Sequence, residues 1–438
     1  MTRRAALRIA PFEIDITPPV GEAIAYGINR RVDAPIFVRG VLLDDGRTRA
    51  LLGAADIIGL YGAVYPEWRL CMAQAARVPV RNVLIHCVHQ HDSLRPFPPE
   101  LRALLRGFHD PRIPSERFHR DLLRRLDVGL RRANKPGNWQ RVEALATAER
   151  RLSGLASNRR LLGPDGKVFA MRWSMTSDPK LQRHPVGRID PLLRSIGFLG
   201  SRGRLLASLH FYATHPMGAY GREMVSADIP GVALEYLGRA VKAEGAHVYF
   251  TGCAGDITFG KYTFKSKEQN LAVLGRRLGE GLAANVSALQ ERPLGPLRLR
   301  FEMLQVRFDA RRMNPAKLLA KLRLATTYQE AALLAWHVEI ARGWRRYGKP
   351  VLARLDLGPE THVLSLPAET AVAYQLFAQA LVPERFVAVA AYGDGSLSYI
   401  PTAEMFREGG YEPKFGYCTP QIEARYRRAL ERLLADLR

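Results

Sequence analysis

The sequence predicts an α/β fold, one layered domain with a mixed β-sheet core flanked by helices. Two patterns carry this expectation. Apolar runs of strand length alternate with helix-length amphipathic stretches along the chain. Hairpin signals such as Asp44-Asp45-Gly46 are interspersed, so antiparallel pairs accompany the parallel pairs that helical crossovers make. A third observation bears on domain count. The 438 residues contain no internal repeat, low-complexity segment or clear linker, and one domain over 1–438 is expected.

Composition narrows the class. Hydrophobic residues make up 47% and charged residues 24%, ordinary values for a soluble globular chain. No apolar run approaches the ~20 residues of a membrane span, so no transmembrane segment is expected. The N-terminal stretch is basic, but Arg8 interrupts its apolar part, which predicts no signal peptide and a cytoplasmic protein. Cys71, Cys87, Cys253 and Cys418 are scattered without CxxC spacing, against a disulfide framework or a zinc knuckle. The net charge of +23 comes mostly from Arg spread along the chain, with no block of five or six bases. That pattern reads as a coding bias, with attraction to an anionic surface or substrate as the alternative; no nucleic acid is expected.

The elements follow in order. Residues 8–24 read as a strand closed by a Thr17-Pro18-Pro19-Val20-Gly21 turn. Residues 38–43 and 50–60 are apolar runs forming a hairpin around Asp44-Asp45-Gly46. Asp56 falls inside the second run, where a carboxylate needs a partner. It either orients a metal-bound histidine from behind or makes a plain buried hydrogen bond. Residues 66–77 read as a helix, and Val83-Leu84-Ile85 opens a strand that runs toward His89-Gln90-His91. Side chains two apart on a strand share a face, so His89 and His91 are expected to point the same way. Such a pair can share a metal, divide metal binding from proton handling, or simply hydrogen-bond.

A Pro-rich loop is expected over 94–114, and an amphipathic helix over 115–133 behind the N-cap Ser115. Arg159, in Asn158-Arg159-Arg160, is a candidate anchor for a substrate oxygen. Residues 205–212 form a strong strand that ends in Ala213-Thr214-His215-Pro216. Asp228 opens a helix, either capping it or supporting the site from behind. Residues 247–251 form the next strand, ending in Gly252-Cys253-Ala254-Gly255-Asp256-Ile257-Thr258, whose small residues allow backbone to approach a ligand closely. Cys253 is a weaker candidate nucleophile that no spacing supports.

Ser266 to Gln269 is a capping box, and Asn314-Pro315 begins one long helix to about residue 345 that carries His337 as a packing or surface residue. Residues 363–366 form a strand leading to Pro367-Ala368-Glu369. Residues 386–392 form another, followed by a Gly393-Asp394-Gly395 turn and Tyr399-Ile400-Pro401-Thr402. A helix from Thr419-Pro420 closes the chain. Strand ends therefore carry His89 and His91, His215, Asp256 and Glu369, and ligands bind where such ends gather. Two histidines and one carboxylate form a common catalytic zinc set.

The same blocks resemble those of the neutral (non-lysosomal) ceramidases. His89-Gln90-His91 is similar to their T-H-T-H-S-G motif, Ala213-Thr214-His215 to their second histidine site, and Ala254 to Thr258 to their A-G-D-V-S segment. Leu366-Pro367-Ala368-Glu369 is similar to their L-P-G-E, and Tyr399-Ile400-Pro401-Thr402 with Tyr411-Glu412 to their Y-I-T-T and Y-E pair. The resemblance implies Zn2+ held by His89, His215, Glu369 and Tyr399, with His91, Arg159 and Tyr411 contacting the substrate or transition state. It implies Asp256 and Thr258 as supports of the same region. Val88, Gln90, Asp92 and Ser93 replace two threonines, a serine and a glycine of the family motif, Thr258 replaces a serine, and no counterpart of the family's C-terminal β-sandwich is expected within 1–438.

The expected activity is zinc-dependent hydrolysis of an amide (N-acyl) bond by a metal-activated water, with a small N-acyl or lipid-like substrate of sphingolipid type. The alternative is a catalytically silent homologue that binds a metal or ligand.

Overall fold

The computed structural model describes residues 6–241, 245–347 and 349–438, and for 343–347 the backbone alone. It is a mixed α/β structure in which the β-core is divided among three larger sheets. The first contains β1 (Arg8–Asp15), β2 (Phe37–Asp44), β3 (Arg49–Ala55) and β4 (Val83–Cys87), in the order β4-β3-β2-β1. The second contains β5 (Ala144–Arg151), β6 (Leu192–Leu199), β7 (Leu205–Tyr212) and β8 (Ala246–Thr251), in the order β8-β7-β6-β5. The third runs β9 (Arg298–Met303), β10 (Val351–Asp356), β11 (Thr361–Ser365), β12 (Phe386–Ala390). The helices that matter below are α1 (Val64–Ala76), α2 (Pro99–Leu104), α3 (Glu116–Ala133), α4 (Asp228–Val241), α5 (Lys267–Ser287), α6 (Pro315–Leu324), α7 (Tyr328–Tyr347), α8 (Val372–Leu381) and α9 (Ile422–Leu433).

The three sheets share one plan. Their long strands pair antiparallel except for one last step, which is parallel: β3 with β4, β7 with β8, and β11 with β12. A parallel step needs a crossover, and α1, α4 and α8 supply it in turn. The antiparallel steps use tight turns. Between β2 and β3, Asp45 Oδ1 accepts from the Arg47 and Thr48 amides, and Gly46 takes the left-handed φ of 81° that the turn requires.

The parallel strands of all three sheets end at one place. The Cys87 amide donates to Tyr392 O at 2.9 Å, the Ala391 amide to Thr251 O at 2.9 Å, and the Thr251 hydroxyl to Val88 O at 2.7 Å. The ends of β4, β8 and β12 are thus sewn together, and the loops that leave them share one floor. Beneath it runs a contiguous apolar core that includes Trp68, Phe198, Phe250 and Tyr426. Helix α3 joins this core through Phe118, Leu122, Leu126 and Leu130, an i, i+4 stripe, with Ser115 capping it by accepting from the Phe118 amide.

Two local expectations are corrected. The Pro-rich stretch 94–114 is not wholly a loop, because Pro99 sits in the first turn of α2, where its missing amide hydrogen costs nothing. The single helix expected from residue 315 is two helices, broken at extended Ala325 and restarted where the Thr327 hydroxyl accepts from the Glu330 amide. Helices α2, α6 and α7 enclose a small core of their own, with Phe97, Leu101, Leu105, Leu322, Ala331 and Ala335. No described helix is long and apolar enough to cross a membrane.

Candidate metal centre

The histidines do not converge by strand pleat, as the spacing suggested. Strand β4 ends at Cys87, and His89 lies beyond it with φ of 74°. Its amide donates to Ile57 O at 3.0 Å, and its Nδ1 lies 2.5 Å from Ile58 O. A carbonyl only accepts, so Nδ1 carries the proton and Nε2 presents a lone pair. His215, after β7, is held in the same way. Its Nδ1 lies 2.5 Å from Ala254 O and 3.1 Å from Ile257 O.

Both Nε2 atoms meet one carboxylate oxygen. Glu369 Oε2 is 3.2 Å from His89 Nε2 and 3.2 Å from His215 Nε2. The three donor atoms all lie within 4.8 Å of one another, a set that could hold a metal ion. Burial lowers His215 to about 4, leaving a neutral imidazole suited to ligation.

Glu369 is placed from two sides. Ala368 before it adopts φ of 63°, and Glu369 pairs in parallel register with Tyr399. On the other side Gly255 donates its amide to Thr370 O at 2.9 Å. A Cβ on Gly255 would stand 2.5 Å from Glu369 O. Within the 252–258 loop, Gly255 therefore admits the Glu369 backbone. Left-handed φ values at His89, Ala368 and Tyr392 gather strained backbone around this one site.

His91 Nε2 lies 3.4 Å from His89 Nε2, and its buried Nδ1 has no hydrogen-bond partner among the described residues. Burial, reinforced by His89 and His215, holds its pKa well below the ordinary value. Tyr399 stacks against His215 with ring centres 6.5 Å apart. The Arg159 guanidinium lies over Tyr399 at 5.3 Å and Tyr411 at 5.2 Å, and its Nε donates to Glu412 at 2.7 Å. Its Nη2 is buried without a partner among the described residues. Arg160 grips the other oxygen of Glu412, so that carboxylate stays ionised although burial opposes its charge.

The predicted supporting residues hold neighbouring backbone and side chains and make no hydrogen bond to the imidazoles. Asp56 accepts from the Phe37 amide at 3.0 Å and Arg39 at 2.6 Å, fixing the start of the segment that carries Ile58. Asp228 caps α4 through the Ile229 amide at 2.7 Å and also holds the Gly218 amide at 2.8 Å, behind His215. Asp256 accepts from the Val372 amide and Asn158 Nδ2, both at 2.8 Å. The Thr258 hydroxyl donates to Arg172 O at 3.0 Å. The atoms that orient the histidines are the carbonyls of Ile58, Ala254 and Ile257, which no side-chain pattern announces. Cys253 is fully buried and its thiol is pushed well above its ordinary pKa, which removes it as a nucleophile.

Sequence reasoning also missed an aromatic lining. Tyr392 stacks on His89 with ring centres 4.4 Å apart, and Tyr26 on His91 at 5.3 Å. Tyr392 stands at the end of an apolar strand, as His215 does, and that position was its one available signal. Together with Tyr61, Trp336 and Phe415, Tyr26 bounds a chamber of about 170 Å³ that opens onto His89, His91 and Glu369.

No family model and no curated protein matches the sequence. Among solved structures, the crystal structure of neutral ceramidase from Pseudomonas aeruginosa matches with a TM-score of 0.71 and 16% identity, covering 99% of this chain and 75% of that one. A structure of ceramidase complexed with C2 matches with the same TM-score of 0.71, identity of 16% and coverage. The sequence-derived expectation of a ceramidase-like α/β architecture is met: the chain has the neutral ceramidase fold.

Proposed function

We propose that this chain is a zinc-dependent, ceramidase-like hydrolase of an amide (N-acyl) bond. One observation carries the reading: two imidazoles, each fixed with Nδ1 on a carbonyl, aim their Nε2 atoms at a single carboxylate oxygen on a chamber floor. Two histidines and a carboxylate suit zinc, and Tyr399, in register with Glu369, completes the proposed ligand set. Zinc in such a site acidifies a water and polarises the scissile carbonyl.

The remaining roles belong to the chain's own side chains. His91 is neutral, buried and beside His89, placed to take a proton from the attacking water and return it to the leaving nitrogen. Burial pushes the Tyr411 hydroxyl up to about 12, so it keeps its proton at neutral pH and can donate to the developing oxyanion. Arg159, with its free Nη2, supplies positive charge beside it. The aromatic walls offer an apolar surface to the acyl part of a lipid-like N-acyl substrate.

The test is turnover of N-acyl amides by the zinc-loaded protein and its His91→Ala variant. Wild type is expected to release amine and carboxylate, and the variant to keep its zinc while losing ~10²–10⁴-fold in kcat. Equal turnover removes His91 from the chemistry. A wild type that binds zinc but cleaves no N-acyl substrate turns the reading toward a ligand-binding protein.

A further inference from the structure

Arg95 follows the histidine pair on the same loop and lines the chamber. Its guanidinium lies over the Tyr26 ring at 5.4 Å, and that ring stacks on His91. The other arginines near the site have carboxylate partners: Arg159 holds Glu412 at 2.7 Å and Arg222 holds Asp92 at 2.9 Å. Arg95 has neither a hydrogen bond nor an ion pair among the described residues. The nearby carboxylate, Glu369, is engaged by two imidazoles. A half-buried guanidinium walled by phenol rings has given up part of its hydration and recovered only a ring contact. Its planar fork matches a carboxylate in two-pronged fashion.

We propose that Arg95 selects substrates carrying a carboxylate near the scissile amide, so that the substrate class is N-acyl amino acids. The proposal rests on the amide-hydrolase reading for the choice of an N-acyl ligand. In the reaction, the water oxygen joins the acyl carbon, the C–N bond breaks and the nitrogen takes a proton, giving a carboxylic acid and a free amino acid.

The probes are N-benzoylglycine and its uncharged analogue N-benzoylglycinamide. Binding of each to the full chain is measured by calorimetry for wild type, Arg95→Gln and Arg95→Lys, alongside release of glycine or glycinamide. A charged hydrogen-bonding partner is expected to favour the acid by about 10- to 100-fold in wild type. Arg95→Gln brings the ratio close to one, and Arg95→Lys restores part of it. Equal binding of both probes to wild type, binding of neither, or a preference that survives Arg95→Gln overturns the proposal. Selective, Arg95-dependent binding without glycine release upholds the role of Arg95 and counts against the hydrolase reading alone.

Discussion

Replacing Gly255 by Ala tests how the site is held without touching a proposed ligand. The new Cβ would lie 2.5 Å from Glu369 O and 3.1 Å from its carbonyl carbon, both backbone atoms. The closer approach is roughly 0.9 Å short of ordinary contact, and packed backbone has little room to give. Relief requires moving either the 252–258 loop, which carries the carbonyls that orient His215, or the short strand that carries Glu369. Metal sites tolerate errors of only ~0.5 Å. The expected result is a ~10- to 100-fold loss of zinc affinity, read by competition with a chromogenic chelator. Urea unfolding of the metal-free protein should show a cost of ~1–3 kcal/mol. Gly238→Ala on α4, where a Cβ meets nothing within 4 Å, is the control and should be neutral or mildly stabilising. Wild-type affinity together with wild-type stability in Gly255→Ala would falsify the account of how Glu369 is positioned.

Two further outcomes follow from groups behind the site. Asp56→Ala removes the acceptor of the Phe37 amide and leaves Arg39 paired with Glu13 alone, and is expected to cost ~1–3 kcal/mol in urea unfolding, whereas zinc affinity of the folded protein changes little; a large affinity loss at unchanged stability would contradict the placement described here. Burial raises the Asp228 carboxyl from 3.8 to about 7, so the folded state binds this proton more tightly than the unfolded chain. Its contribution is complete below the unfolded value and is lost as pH rises through about 7, which makes stability fall between about pH 4 and pH 7 by at most ~4 kcal/mol. Asp228→Asn should flatten that part of the profile, and parallel profiles for the two proteins would refute the assignment.

Much of the site was legible because its chemistry is concentrated in side chains at strand ends. His89, His215 and Glu369 could be read from apolar runs that stop at a histidine or a Pro-Ala-Glu, and the structure brings all three together. Strand pleat does not aim His89, however: left-handed backbone at His89, beyond the end of β4, aims the ring. What the sequence hid was backbone work. The carbonyls of Ile58 and Ala254 orient the imidazoles, and every residue carries a carbonyl, so nothing marks these two. The division of the core into three sheets was equally hidden, because strand runs look alike whichever sheet they join. The aromatic chamber depends on α7 crossing over the strand ends, a tertiary relation between Trp336 and Tyr61 far apart in sequence.

Zinc content tests the central claim most directly, measured on the purified wild type and Glu369→Ala side by side after equilibration with the metal. The account predicts about one zinc per wild-type chain and a large loss in the variant, with both proteins folded. A folded wild type that takes up no zinc, or a variant that retains it fully, would contradict the assembly of His89, His215 and Glu369 into a metal centre.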